Sequence, residues 1–564
     1  MMKSKTKLWQ IIIILCSSSL LFSQNDPYDS GGPIMPEQAA YDVKFYDLSL
    51  TVNPADSTIH GEIVVVADLT APLQEFVLNL DPRLQVSSTW LKFEGRERKV
   101  DFEHENGLIK IAFPFTAQPG QSVSARVAYG GKPRVAPRPP WDGGFTWART
   151  PSGAPWIATS CQGPGADLWW PNKDHPSDEP DSMALRITVP ENLVVASNGV
   201  LRSVRENGDQ TKTFHWFVST PINSYTVALN IAPYRVIEDD FKSVDGTNFP
   251  VKFWLLPESY ENGQKLFPEI LDHLRFFEKY FGPYPFRAQK YGVAETPHLG
   301  MEHQTIIAYG AKFNNGSMTR GVDWGFDALH HHELAHEWWG NLVTCADWKD
   351  FWIHEGIGSY TQAMYVEELF GEARYHEYMK SVRGRMQNRK PLAPRFSVSA
   401  ENATRDAYFK GAWMLHTLRY LVGKDAVYKA LRRLAYPDAS WEKRTDGGQC
   451  RFASSNDFVR LAEEASGQEL DWFFEIYLRE AKLPELLVER DGNSVLLTWK
   501  TPRNLPFPMP VEVQIKNKKK RVEFKDGEAR ISVKEKEEFV VDPDNWVLMK
   551  AEDAKTRDES GSQE

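Results

Sequence analysis

Two histidines four residues apart constrain this chain more than any other feature, and they lie in the segment His332-Glu333-Leu334-Ala335-His336. Residues four apart lie one above the other on a helix face, so both imidazoles can face one metal ion. We expect a helix from Asp327 to Val343, which would give the pair that geometry. Glu333 lies one position round the helix, where it can act on a water molecule at the ion without binding the ion.

A third ligand stands further along the chain. Eighteen residues separate His336 from Glu355, and Glu355 begins the next predicted helix after a short connection. Two antiparallel helices can bring Glu355 back to the histidine pair. A catalytic zinc site uses three protein ligands and one open position, so the sequence predicts one Zn²⁺ per chain. His330, His331 and His354 lie close by, but they lack the four-residue spacing, and we expect them in the core or on the surface.

The length of the chain and the order of its patterns predict several domains. At 564 residues with 41% hydrophobic and 12% aromatic content, the chain is too long for one core and is globular in composition. Short alternating strands give way to helical spacing and then to strands again, which predicts a multidomain α+β fold. The predicted parts are a signal peptide (1–23), an antiparallel β domain (24–238), a mainly helical domain (239–484), a small C-terminal β-sandwich domain (485–550) and a disordered tail (551–564). Within the first β domain, we expect the Pro- and Gly-rich stretch from Gly130 to Trp156 to be a long loop.

The first residues have the pattern of an export signal. Three lysines precede the apolar run from Leu8 to Phe22, and the small residue Ser23 follows it. We therefore expect a secreted or periplasmic protein. No later apolar run reaches the roughly 20 residues that a membrane span needs, so we expect no transmembrane segment after cleavage. Cys16 leaves lipoprotein anchoring open as a second interpretation.

Charge and cysteine content exclude some classes of protein. The formal net charge is −10 and becomes more negative when the lysines of the signal peptide are removed, which argues against nucleic acid binding. The basic run from Lys516 to Arg521 is interpreted as the solvated rim of a hairpin. Cys161, Cys345 and Cys450 are too few for a disulfide framework, and their pairing stays open.

Several separated motifs together resemble one known family. HELAHEWWGNLV, the gap and WIHEG are similar to the gluzincin aminopeptidases of peptidase family M1, which include leukotriene-hydrolysing and aminopeptidase N-like members. Three more segments match in the family's order: Gly300-Met301-Glu302-His303, Tyr408-Phe409-Lys410-Gly411, and Cys161-Gln162 with Asp178-Glu179-Pro180-Asp181. Many members continue after the small β domain into a long helical domain, and this sequence ends before it. The resemblance is therefore to a short form of the family.

The resemblance implies a zinc aminopeptidase with a thermolysin-like catalytic domain, and the export signal adds that it is secreted. It assigns zinc to His332, His336 and Glu355, the role of general base to Glu333, and stabilisation of the developing oxyanion to Tyr408.

The resemblance also implies peptide substrates with a free N-terminus. Glu302 would bind the α-ammonium group, with Gly300 and Met301 beside it and a polar contact from Gln162. Gln362 could hydrogen-bond a ligand histidine or could be a surface amide.

Three positions depart from the family pattern. The family usually has Asn where His303 stands, commonly Gly at Leu299, and Asn at His354. These departures concern the shape and pH dependence of the first substrate pocket.

Two other functions remain open. A thermolysin-like zinc endopeptidase would share both histidines, the general base and a later Glu, but would have no use for Glu302. A catalytically inactive peptide-binding protein on the same fold usually lacks a ligand or the base, and all of these residues are present here.

Overall fold

The computed structural model describes residues 29–93 and 95–550. The predicted signal peptide, Cys16 and the predicted disordered tail lie outside the described residues. Within the described ranges, no helix is both long enough and apolar enough to cross a membrane.

The N-terminal domain is built from strands, as its alternating pattern predicts. After the short helix α1 (Pro36–Ala39), its strands are β1 (Tyr41–Asn53), β2 (Thr58–Leu69), β3 (Leu73–Asn79), β4 (Leu84–Phe93), β5 (Arg96–Val100), β6 (Phe102–Glu105), β7 (Leu108–Ala117), β8 (Ser122–Gly131), β9 (Gly144–Arg149), β10 (Pro155–Ser160), β11 (Ser182–Pro190), β12 (Val194–Ala196), β13 (Val200–Glu206), β14 (Thr211–Val218) and β15 (Asn230–Ala232). An eight-stranded sheet has the order β13-β14-β11-β1-β2-β8-β4-β5, and smaller sheets have the orders β12-β15-β10-β9 and β3-β7-β6. Most neighbours are antiparallel, but β1 and β11 run parallel. Short 3₁₀ turns occur at Ala166–Leu168 and Ser224–Thr226.

The prediction of one long loop from Gly130 to Trp156 is wrong in its second half. There β9 pairs antiparallel with β10, from Gly144 opposite Ser160 to Arg149 opposite Pro155. The Pro and Gly residues are concentrated before β9, and Phe145 in β9 is fully buried. The prediction from composition therefore missed an apolar strand that follows a turn-rich segment.

The helical domain begins with a sheet. Its strands are β16 (Arg235–Lys242), β17 (Asn248–Leu255), β18 (Tyr291–Glu295), β19 (Gly300–Met301), β20 (Ile307–Tyr309), β21 (Val343–Cys345) and β22 (Arg451–Ala453). Its helices are α2 (Tyr260–Phe281), α3 (Ala328–Ala335), α4 (Trp352–Phe370), α5 (Glu372–Arg383), α6 (Phe409–Val422), α7 (Lys424–Ala435), α8 (Ser455–Ser466) and α9 (Asp471–Arg479), with 3₁₀ turns at Pro257–Ser259, Trp348–Asp350, Arg405–Ala407 and Trp441–Lys443. The five-stranded sheet has the order β16-β17-β18-β20-β19, so β19 lies at its edge. Because β16 belongs to this sheet, the strand crosses the predicted boundary at residue 238.

The predicted helix from Asp327 to Val343 is too long. The helix α3 ends at Ala335, and the backbone N–H of Asn341 donates to the carbonyl of His336 in the turn that follows. Gly340 has a φ of +143°, which favours glycine and reverses the chain before β21. His336 keeps right-handed helical backbone angles as the C-cap residue, so the four-residue spacing still places both histidines on one face.

The C-terminal β domain packs on the helical domain. Its strands are β23 (Glu485–Asp491), β24 (Ser494–Lys500), β25 (Val511–Ile515), β26 (Lys518–Val522), β27 (Glu528–Ser532) and β28 (Phe539–Val541), with a 3₁₀ turn at Pro502–Asn504. They form two three-stranded sheets, β23-β24-β27 and β26-β25-β28. The buried residues of these sheets share one hydrophobic cluster with the helices. The basic run from Lys516 to Arg521 lies on the β25–β26 hairpin and is exposed, as expected.

Candidate active site

Three predicted ligands meet between α3 and α4. His332 Nε2 lies 3.2 Å from His336 Nε2 and 3.2 Å from an Oε2 atom of Glu355, and His336 Nε2 lies 3.6 Å from that same oxygen. All three residues are at least 97% buried. Two imidazole nitrogens and one carboxylate oxygen are the ligand set of a catalytic zinc site. The residues present therefore fit one Zn²⁺ ion.

The surroundings fix how the two histidines face this point. His336 Nδ1 is 3.1 Å from the carbonyl oxygen of Trp339, so the ring donates from Nδ1 and leaves Nε2 for a metal. A Cβ on Gly358 would lie 3.3 Å from His332 Cε1 and 3.6 Å from His336 Cε1. Because Gly358 has no side chain, both imidazole rings can pack closely against α4, the helix that carries Glu355.

The neighbouring histidines have other partners, as the spacing argument expects. His330 Nδ1 lies 2.7 Å from His273 Nδ1, and the hydroxyl of Tyr291 lies 2.7 Å from His330 Nε2. His331 packs among aromatic rings, including that of Tyr365 at 4.8 Å. His354 Nε2 accepts a hydrogen bond of 3.0 Å from the backbone N–H of Cys345.

Two further carboxylates face the same centre. Side-chain ligand atoms of Glu302, Glu333 and His336 all lie within 4.8 Å of one another. Glu302 follows the edge strand β19, and Glu333 projects from α3. A Cβ on Gly300 would lie 2.6 Å from Glu333 Oε1, so this glycine makes room for the carboxylate.

The N-terminal domain contributes two residues that hold Glu302. The Gln162 amide donates to Glu302 Oε1 and, over 3.2 Å, to Glu355 Oε1. The hydroxyl of Tyr225 donates to Glu302 Oε1 over 3.1 Å, and Asn341 Nδ2 donates to the Glu302 backbone carbonyl over 3.1 Å. Sequence reasoning missed Tyr225 and Asn341. Asn341 stands in the quoted metal motif and could have been noticed, whereas no sequence signal singles out Tyr225.

Tyr408 reaches the centre from the start of α6. Its ring stacks on that of His332 with centroids 5.9 Å apart. Its hydroxyl hydrogen-bonds Glu355, a contact that lowers the pKa of that carboxyl against the larger effect of burial. The structure therefore places Tyr408 beside the predicted metal position.

The electrostatics of the site favour an incoming cation. Burial raises the pKa of Glu333 well above its ordinary value, and the charges of Glu302 and Glu355 raise it further. Burial also raises the pKa of Glu302, with the charge of His336 opposing that shift and the charge of Glu355 adding to it. Three carboxyl groups buried together are costly to ionise unless positive charge enters.

Gln362 neither hydrogen-bonds a ligand histidine nor lies on the surface, the two alternatives that the sequence left open. It is buried, and its amide donates to the carbonyl of Ala328 over 2.7 Å while its oxygen accepts from the hydroxyl of Tyr378 over 2.9 Å. It therefore joins α4 to α3 and α5.

His303 is fully buried, and neither of its ring nitrogens has a hydrogen-bond partner in the described part of the chain. Burial lowers the pKa of His303 well below its ordinary value, so the ring is neutral at neutral pH. Cys161, Cys345 and Cys450 are free thiols.

Comparison with known proteins covers both larger domains. Residues 43–226 match the Peptidase M1 N-terminal domain, and residues 269–477 match the Peptidase family M1 domain. The chain belongs to peptidase family M1. Aminopeptidase N of Haemonchus contortus is 25% identical to this M1 chain over 425 residues, which cover 68% of this chain and 41% of the relative. Endoplasmic reticulum aminopeptidase 2 of Homo sapiens is 25% identical over 325 residues, covering 50% of this chain and 32% of that protein.

A solved M1 structure shares the fold. The M1 zinc metallopeptidase of Deinococcus radiodurans, solved with a Tyr-Ser-Ala substrate, matches with a TM-score of 0.63 and 24% identity, covering 82% of this chain and 99% of that one. The predicted fold class is confirmed by this match: a β-rich N-terminal domain, a helical domain and C-terminal β sheets.

Proposed function

We propose that this chain is a zinc aminopeptidase that removes residues from the free N-termini of peptides. The observation that carries the proposal is the position of Glu302 beside the His332, His336 and Glu355 centre. A carboxylate this deeply buried needs a cation, and the α-ammonium group of a peptide supplies one next to the first peptide bond. Family membership and the curated aminopeptidases among its relatives support the same activity.

Each residue then has a distinct task. Zn²⁺ bound by His332, His336 and Glu355 would act as a Lewis acid and lower the pKa of water towards about 7. Glu333 accepts the proton of the attacking water and returns it to the departing amine. The hydroxyl of Tyr408 donates a hydrogen bond to the carbonyl oxygen as negative charge develops there.

The substrate's amino end and backbone have their own contacts. Glu302 binds the α-ammonium group, while Gln162 and Tyr225 fix the carboxylate in place through their hydrogen bonds to Oε1. Gly300 and Met301 form the edge strand β19, whose free side can pair with an extended peptide.

Acetylation of the substrate amine tests this function. We expect wild type to cleave aminoacyl amides and to ignore their N-acetylated forms, because acetylation removes the charge that Glu302 binds. Glu302→Gln should lose about 2 to 5 kcal/mol in kcat/KM with its zinc retained. Tyr225→Phe should show a smaller loss, mainly in KM, because it deletes one hydrogen bond to the carboxylate. Steady-state kinetics with zinc analysis measures both.

The matched control is Glu206→Gln on the exposed strand β13, which should match wild type. Cleavage of an N-blocked peptide at an internal bond, at a rate comparable with the free peptide, would contradict the aminopeptidase and favour the endopeptidase alternative. Absence of any hydrolysis by a zinc-loaded wild type would favour the inactive peptide-binding alternative.

We further propose that residues 1–23 direct export. The support is the lysine-flanked apolar run from Leu8 to Phe22. N-terminal sequencing of the protein from the medium or periplasm should find a mature chain starting near Ser23 or Gln24. An intact Met1 on protein retained in the cytoplasm would contradict export.

A further inference from the structure

A second pair of buried carboxylates lies in the N-terminal domain, apart from the catalytic centre. Asp167 is 2% exposed and Asp174 is 9% exposed. Asp174 Oδ1 accepts a hydrogen bond of 3.0 Å from the backbone N–H of Ala166. Asp167 Oδ1 has no hydrogen-bond partner among the described residues, although it is shielded from solvent.

Asp167 Oδ1, which has no hydrogen-bond partner, and Asp174 Oδ2 both lie close to Gly165. An ideal Cβ on Gly165 would lie 2.6 Å from Asp167 Oδ1 and 2.3 Å from Asp174 Oδ2, and the φ of Gly165 is +102°. Both aspartates line a cavity of about 20 Å³, together with Asp29 and Asn79. A space of that volume holds one water molecule or one ion.

No basic side chain neutralises this pair in the part of the chain that the structure describes. The nearby Asp81 pairs with Arg83, and Asp178 pairs with Lys173. Neither Asp167 nor Asp174 forms an ion pair with a described residue. Burial raises the pKa of Asp167 well above its ordinary value, and the charge of Asp174 raises it further.

The donor atoms define which ion fits. His175 also lines the cavity, but its Nδ1 lies 2.7 Å from the Ser177 hydroxyl and its Nε2 lies 2.9 Å from the carbonyl of Gly32. The remaining donors are oxygens. Oxygen-only sites with carboxylates suit Ca²⁺, which takes flexible coordination at 2.3 to 2.6 Å, rather than zinc.

We propose that Asp167 and Asp174 bind a calcium ion, with other oxygen atoms that line the cavity as its further donors. The site would join the segment before β1 to the turn after β10. Two backbone hydrogen bonds already hold this turn. The Gly165 N–H donates to the Cys161 carbonyl within the turn, and the Ser30 N–H, from the segment before β1, donates to the Gly163 carbonyl.

The turn also carries Gln162, the residue that contacts both Glu302 and Glu355. Calcium would therefore hold the turn that positions Gln162, a consequence that rests on the proposed aminopeptidase function. The ion binding itself does not depend on that function.

Terbium luminescence tests the site directly, because Tb³⁺ substitutes for Ca²⁺ and the buried Trp169 and Trp170 follow Asp167 closely in the chain. We expect one saturable Tb³⁺ site in the zinc-loaded full chain, displaced by millimolar Ca²⁺. Asp167→Asn and Asp174→Asn should each abolish the signal. Asp142→Asn, which changes a carboxylate paired with Arg138, should leave it intact. No saturable Tb³⁺ signal in wild type, or an unchanged signal in both Asn variants, would overturn the proposal.

Thermal unfolding gives a second measurement that does not depend on the variants binding terbium. Millimolar Ca²⁺ should raise the Tm of wild type by several degrees and leave that of Asp167→Asn unchanged. Without Ca²⁺, Asp167→Asn should be at least as stable as wild type, because the substitution removes a carboxyl group whose ionisation is costly at this buried position. A wild-type Tm that does not respond to Ca²⁺ would overturn the site, even where an Asn variant fails to fold.

The link to Gln162 has its own readout. Removing Ca²⁺ should raise KM for aminoacyl substrates and leave the zinc content unchanged. A KM that does not change while Tb³⁺ binds would overturn the link alone. A chain without peptidase activity would contradict the proposed function, and the luminescence and Tm measurements would still decide the calcium site.

Discussion

At the residue scale, the active centre is a cluster of acids that the fold keeps out of water. Glu302, Glu333 and Glu355 are each at least 94% buried, and they share one centre with His332 and His336. Their pKa values are raised because burial disfavours the charged form. Three buried carboxyl groups together favour the entry of positive charge, and under the proposed function a metal ion and a substrate ammonium group would supply it.

Substitution of Glu333, the proposed general base, should separate metal binding from catalysis. Glu333→Gln keeps the size of the side chain but removes its proton acceptor, so we expect kcat to fall by roughly a hundredfold to ten-thousandfold. Zinc content should stay at one per chain, since Glu333 is not a ligand in our assignment. His336→Ala is the contrasting variant and should lose metal and activity together. Near-normal turnover by Glu333→Gln would exclude the mechanism.

At the element scale, two helices cross where both lack a side chain. A Cβ on Gly411 of α6 would lie 2.8 Å from the Cα of Gly356 in α4. Glu355 directly precedes Gly356, and Tyr408 directly precedes α6. The close crossing therefore sets the contact between Glu355 and the Tyr408 hydroxyl.

Adding one methyl group at this crossing should disturb the site. Gly411→Ala forces α4 and α6 apart, and we expect a loss of about 1 to 3 kcal/mol in stability together with a lower kcat. Gly384→Ala is the matched control, since a Cβ there meets nothing within 4 Å and its φ of −73° suits alanine. Denaturant unfolding and steady-state kinetics measure both variants. Equal behaviour of the two would show that the crossing does not position Tyr408.

At the scale of the whole molecule, the site belongs to two domains. Gln162 and Tyr225 come from the N-terminal domain, while Glu302 and Glu355 come from the helical domain. A further contact between these domains is titratable. Burial raises the pKa of Glu179 to about 8, the nearby charge of Asp178 adds to the shift, and a hydrogen bond with Thr344 of β21 opposes it.

The stability of the domain contact should therefore fall as the pH rises. The folded chain holds the Glu179 proton up to about pH 8, whereas the unfolded chain releases it near its ordinary value of 4.5. The contribution of the protonated Glu179 to the free energy of unfolding is therefore complete below pH 4.5. It is lost between pH 4.5 and pH 8, by at most about 1.4 kcal/mol per pH unit. Relative to wild type, Glu179→Gln should gain stability across this window, measured by denaturant unfolding at several pH values. A constant difference between the two proteins would contradict the shift.

Local periodicity determined much of this protein from sequence. The order of strand and helix patterns predicted the β-rich N-terminal domain, the helical domain and the C-terminal sheets, because side-chain spacing is a property of neighbouring residues. The four-residue spacing of His332 and His336 survives in the structure for the same reason. The family motifs around Glu302, Glu355 and Tyr408 likewise identified residues that the fold brings together.

Only the tertiary structure decided the contacts that depend on distant segments. Tyr225 lies 77 residues before Glu302 and carries no motif, so nothing local marks it as a partner of that carboxylate. The helix α3 ends at Ala335 and Gly340 reverses the chain directly after the buried Trp338 and Trp339, although the apolar pattern continues through that turn unchanged. The Asp167 and Asp174 pair is recognisable only when the turn at Gly165 brings both carboxylates to one cavity. The sequence determines the chemistry that each residue can perform. Tertiary packing determines which residues are buried and which come into contact.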